Sequence, residues 1–96
     1  MMQKTLPETI AEKLILKGLS LAVYREVAAH LRQIVGLEVE LEPQRSPAFD
    51  YHQSQIGAMI IRYPETFTAE KLQIITDILT FYGDRHGQQW SREKLS

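Results

Sequence analysis

Across Gly36 the spacing of apolar residues changes from a helical to a strand period, and that switch constrains the fold more than any other feature of the chain. In "SLAVYREVAAHLRQIVG", Tyr24, Val27, Ala28, Leu31, Ile34 and Val35 recur at i, i+3, i+4, i+7, with Ser20 placed to cap the first turn. In "LEVELE", directly after Gly36, Leu37, Val39 and Leu41 alternate with Glu38, Glu40 and Glu42. Successive side chains point to opposite faces of a strand, so this segment reads as a half-buried strand with one apolar and one acidic face. An amphipathic helix followed at once by such a strand calls for helices layered on a sheet, an α+β domain.

The same reasoning assigns the remaining segments. "TLPETIAEKLILKG" opens on the capping pattern of Thr5 and Glu8, sets Leu6, Ile10 and Leu14 along one side and ends at Gly18, which predicts a first helix. "IGAMIIRYP" reads as a second strand closed by Pro64; it begins at Ile56 or, with Phe49 and Tyr51 sharing a face, further back with Gly57 as a bulge. "TFTAEKLQIITDILTFYG" reads as a helix capped by Thr66 or Thr68, with Leu72, Ile75, Ile78, Leu79 and Tyr82 inward and Gly83 as its stop. Residues 84–96 are expected to form a partly ordered tail anchored by Trp90.

The predicted order is therefore α-α-β-β-α in a single small domain over residues 1–96, with its core over about 5–83 and an antiparallel β-hairpin packed against helices. Two strands alone are marginal in water. Pairing the open strand edge across a two-fold axis would extend the hairpin to a four-stranded sheet, so a homodimer is the expected assembly.

Composition narrows function by exclusion. Eleven Lys plus Arg against twelve Asp plus Glu leave a net charge of −1, which supplies no field to draw phosphate backbones or anionic membranes. The chain has no cysteine, which excludes disulfides, thiolate nucleophiles and cysteine-ligated metal centres. No stretch approaches the roughly 20 apolar residues that span a bilayer, and the first residues lack a signal-type apolar core, so a cytoplasmic protein without membrane attachment is expected.

Motifs for chemistry are sparse. His30, His52 and His86 are scattered without metal-ligand spacing, and no cofactor or metal is expected. Ser46 and Ser54 near His52 sit in no nucleophile elbow, and alternation along a strand would separate Tyr51 from His52, so no catalytic residue is assigned. The row Glu38, Glu40, Glu42 reads first as a solvated strand face that pairs with Arg62, and otherwise as an acidic patch for a basic partner.

Two binding readings follow. The segment around "FDYHQSQIG" concentrates hydrogen-bonding and aromatic side chains, and Gln44, Arg45, Asp50, Tyr51, His52, Gln53 and Gln55 are the candidate contacts to another protein. Alternatively, the first two helices and the hairpin could form a helix-turn-helix with a wing, presenting Arg25, Arg32, Gln33 and Arg45 to nucleic acid, although the missing basic excess weighs against it.

The run "LSLAVYREVAAHLRQIVGLEVELEPQ" followed by "FDYHQSQIG" resembles the central part of a small protein family of cyanobacterial type to which no activity is assigned; the resemblance covers residues 19–63. It implies a cytoplasmic bacterial protein and carries over no site residue. The expected function is thus a non-enzymatic interaction or regulatory module.

Overall fold

The computed structural model describes residues 8–43 and 56–95. They form β1 (Thr9–Ile15), α1 (Leu21–Leu31), β2 (Glu38–Pro43), β3 (Ile56–Pro64), α2 (Ala69–Arg85) and β4 (Ser91–Lys94). The four strands make one antiparallel sheet in the order β2-β3-β1-β4. Two split β-α-β units interleaved in this way are the ferredoxin-like topology. Both helices lie on the same face, where Tyr24, Val27 and Leu31 of α1 and Ile75, Leu79 and Tyr82 of α2 close on Leu14, Met59, Ile61 and Tyr63.

The α+β class and the alternating strands match the sequence reading, while the element order corrects it. Residues 9–15 are a strand and not part of a first helix, although Thr5 and Leu6 lie outside the described residues. The physical reason is that a spacing of four fits both periods. Ile10 and Leu14 share a helix face, but they also share a strand face with Glu12, and in register all three stand on the side of Tyr63, Ile61 and Met59. The order is β-α-β-β-α-β, and all four strands come from one chain. With no helix at 9–15, the described residues contain no helix-turn-helix ahead of the hairpin.

Within the tail, residues 91–94 add β4 to the outer edge of β1. The turn before it is built by a Schellman motif: Gln88 N–H donates to Gly83 C=O (2.9 Å) and Gly87 N–H to Asp84 C=O (3.2 Å), with Gly87 at φ 66° where only glycine is unstrained. Gly83 does not stop α2, which runs on to Arg85. It is glycine because a Cβ there would lie 2.6 Å from the Gln88 carbonyl oxygen. Trp90 then packs edge-on against Tyr24, ring centroids 6.0 Å apart, as the expected anchor.

Other sequence signals hold. Ser20 Oγ accepts from Val23 N–H and Thr68 Oγ1 from Lys71 N–H, so each caps its helix. The β2–β3 register shifts between Glu42 and Pro43 and leaves Gly57 as the extra residue of a bulge. Arg62 pairs with Glu40 at 3.0 Å, and Lys13 reaches Glu42 at 3.4 Å. Because Lys13 stands opposite Ile60 and Glu42 opposite Ala58, that second pair straps β1 to β2 over the top of β3. The sheet face away from the helices is thus covered by ion-paired stems over a buried Ala58 and Ile60.

Candidate functional site

The residues singled out in the sequence do not converge. Gln44, Arg45, Asp50, Tyr51, His52, Gln53 and Gln55 lie outside the described residues. Arg25 is exposed on α1. Arg32 is the C-cap of that helix and donates Nη2–H to Val39 C=O at 2.9 Å, which commits its guanidinium to β2. Gln33 lies beside it on the outer surface between the helices.

One buried ionisable cluster was not legible in the sequence. Glu12, on the core face of β1, is 6% exposed. Its carboxylate accepts from Arg92 Nε (2.9 Å) and Nη2 (3.2 Å) of β4, and from the Tyr63 hydroxyl of β3. Arg92 Nη1 also donates to Thr76 Oγ1 on α2 (3.1 Å). Burial by itself pushes the Glu12 carboxyl up, but the hydrogen bonds from Arg92 and Tyr63 and the charges of Arg92 and Lys94 together hold it below its ordinary value. Burial and the neighbouring carboxylate push the Tyr63 hydroxyl up to about 12. The result is a charged carboxylate and a neutral phenol, each already engaged. Such a group has neither the poised protonation state nor the free lone pairs that acid–base catalysis needs. Its role is to clasp β4 to the sheet and to α2.

Two concavities flank α2. On the β4 side a cleft of about 250 Å³ runs between Thr76, Thr80 and Gly83 of the helix and Gln88, Trp90 and Arg92 of the returning chain. The Trp90 indole N–H is buried beside it with no hydrogen-bond partner among the described residues. On the other side a groove of about 310 Å³ separates α2 from the end of α1 and the turn after it, lined by His30, Gln33, Ile34, Val35, Lys71, Ile74 and Ile78.

The second concavity is apolar and open. Val35 is 79% exposed and Ile74 41%, while Ile78 at the bottom is 8% exposed; Phe81, 51% exposed, continues the apolar face one turn beyond the groove. Behind the lining residue His30, the buried Tyr82 donates its hydroxyl to Glu26 (3.2 Å), with His30 Nδ1 at 3.5 Å. Burial, then the Glu26 carboxylate, raises the Tyr82 hydroxyl above its ordinary value, so it stays a neutral donor. At the rim Lys71 Nζ donates to Val35 C=O at 3.1 Å and lies over the Phe67 ring. Arg85 lies over the Phe81 ring, 5.6 Å from its centroid. Large apolar side chains left in water around a concavity mark a contact surface more than a reaction centre.

Sequence signals for this groove exist in the doublets Ile74–Ile75 and Phe81–Tyr82, seven residues apart. One member of each doublet fills the core, and the other widens the apolar arc beyond what the core can bury. Among the described residues no three metal-ligating side chains converge, and no helix is long and apolar enough to cross a membrane. No family model matches the chain, and neither the curated proteins nor the solved structures include one similar enough to count as a match.

Proposed function

We propose that this chain is a non-enzymatic interaction module of the cytoplasm that docks another protein on the groove between its two helices. The observation that carries the reading is the exposure of Val35 and Ile74 in a concave apolar surface, which the exposed Phe81 extends one turn beyond Ile78 along α2, in a domain that packs away most of its other large apolar side chains. Residues 44–55, which join β2 to β3, are proposed as a further contact through Tyr51 and His52.

The dimer expected from sequence needs a free strand edge. The β2 edge carries Glu38, Glu40 and Glu42 on one face, and β4 offers only four exposed residues, three of them charged. Across a two-fold axis, β2 would set carboxylate against carboxylate, so the proposal rests on a different protein as the partner. Sedimentation at micromolar concentration checks the dimer separately.

The experiment is affinity capture from cells of the source organism, with the wild-type chain, an Ile74→Ser/Phe81→Ser variant and a Tyr51→Ala/His52→Ala variant immobilised at equal density. A protein retained by wild type and lost from the groove variant, while both melt at similar temperatures, is the expected result. Identical retention by all three chains removes the reading.

A further inference from the structure

Resting on the interaction reading above, we infer that the groove takes an amphipathic helix of a second protein, acidic at both ends of its apolar seam, and not a second copy of this chain. The outer stripe of α2 reads Lys71, Ile74, Ile78, Phe81, Arg85, in steps of three, four, three and four. That is the 3.5-residue repeat with which one helix presents a seam to another. The stripe is about 21 Å long, the reach of roughly four helical turns. Helix in groove is a recurrent mode of recognition, read through apolar anchors at this spacing.

The charges choose the occupant. The apolar centre of the stripe ends in a cation on each side. The salt bridges among the described residues join Lys13 to Glu42, Arg62 to Glu40 and Arg92 to Glu12, so among those residues neither Lys71 nor Arg85 has a carboxylate partner. A helix that brings one carboxylate to each end would convert both into charge-assisted contacts. The outer flank of the stripe carries Glu70, Asp77 and Asp84, seven residues apart, which adds a preference for basic residues along one side of the same helix.

A second copy cannot meet these demands. A two-fold axis sets the stripe against itself. Run antiparallel about Ile78, Lys71 faces Arg85; run antiparallel about Asp77, Asp77 faces Asp77 and Glu70 faces Asp84. Run parallel, Lys71 faces Lys71 and Arg85 faces Arg85. Either orientation places like charges in contact, which discriminates against self-pairing.

Two synthetic helices of about 18 residues test this, measured against the full chain by fluorescence anisotropy. Both carry Leu at the seam positions. One has Glu at the two seam ends and Lys along one flank, and the other has the charges interchanged. The acid-ended helix is expected to bind about tenfold tighter or better, a Lys71→Glu/Arg85→Glu variant to lose that preference for acidic ends, and Phe81→Ser to abolish binding of both. These side chains are at the surface, and thermal melts confirm that each variant folds.

Equal affinity for the two helices, or tighter binding of the base-ended one, overturns the charge assignment while leaving the interaction reading intact. Failure of both helices, with capture of a cellular protein still lost in the groove variant, overturns the helical partner alone. Failure of both together with unchanged capture removes the reading beneath it. A two-chain species that becomes one chain in Phe81→Ser overturns the inference in favour of a second copy.

Discussion

Replacing Arg92 by alanine is expected to cost far more than replacing its partner Glu12 by glutamine. Glu12 is almost fully buried, whereas Arg92 keeps about a third of its side chain in water. Truncating the arginine therefore strands a buried carboxylate with the Tyr63 hydroxyl as its remaining strong donor, while neutralising the glutamate leaves a guanidinium that solvent can reach. Removing one partner of a fully buried pair costs about 3–5 kcal/mol, and the exposure of Arg92 lowers this to about 2–3 kcal/mol. Glu12→Gln, which keeps shape and some hydrogen bonding, is expected to cost about 1 kcal/mol. The double variant should be more stable than Arg92→Ala alone, because most of that penalty is the uncompensated charge. The sign with pH follows from the same pair. In the wild type the carboxyl is held below its ordinary value of 4.5, so its contribution is present above pH 4.5 and is lost as pH falls through the lower folded value. In Arg92→Ala burial still raises the carboxyl while the hydrogen bonds and charge of Arg92 are gone, leaving only Tyr63 and Lys94 to lower it, so protonation relieves the variant as pH falls. The difference between the two proteins is thus largest near neutral pH and shrinks towards pH 4. Urea unfolding followed by the fluorescence of the single tryptophan, Trp90, measures it at both pH values. Equal costs for the two single variants, or a difference that does not change with pH, would refute the reasoning.

Other outcomes follow from the geometry of α2 and the open sheet face. Gly83→Ala adds a good helix former yet drives a Cβ to 2.6 Å from a backbone oxygen, so it should lower stability by about 1 kcal/mol despite a propensity gain of similar size; a raised melting temperature would contradict the packing argument. Thr68→Ala removes the acceptor for Lys71 N–H and should cost about 1 kcal/mol by urea titration. Glu40→Gln breaks an exposed pair with Arg62 and should change stability by less than about 0.5 kcal/mol, a difference that disappears in high salt.

How much of this was legible in the sequence depends on whether a signal was local. The helix from Ser20, the alternation from Leu37 to Glu42 and a cap at Thr66 or Thr68 each rest on neighbours within a few residues, and each could be read, whereas Gly57 reads as a bulge only for a strand that starts before Ile56, in residues outside those described. The strand at residues 9–15 could not, because the position that completes its alternation is occupied by a glutamate. Glu12 is tolerated on the core face only through Arg92, 80 residues away in sequence. No local rule connects the two. The strand "SREK" has no apolar alternation at all and is held by its ladder to β1 and by the same ion pair. The helix-turn-helix expectation leaned on the same ambiguous spacing, because its first helix covered residues that form β1. The groove was not read from the sequence: Leu72, assigned to the inward stripe, is 37% exposed, and which side of the helix stays open at Ile74 and Phe81 depends on tertiary packing.

That packing gives the groove its place. The apolar arc of α2 is wider than one sheet face can bury, so both long edges of the helix require a neighbour. On one edge the chain returns through the Schellman turn, lays Trp90 against Tyr24 and fastens β4 by Glu12, Arg92 and Thr76. On the other edge α1 reaches Tyr82 through Glu26 and His30 but ends at Leu31, and only the turn with Ile34 and Val35 flanks Lys71 and Ile74, so Val35 and Ile74 remain in water. The clasp also constrains α2 from behind, because Arg92 bonds the helix at Thr76, the residue between Ile74 and Ile78 of the stripe. A ligand helix would therefore meet a seam held at a fixed angle to the sheet. Little ordering of α2 would then oppose binding.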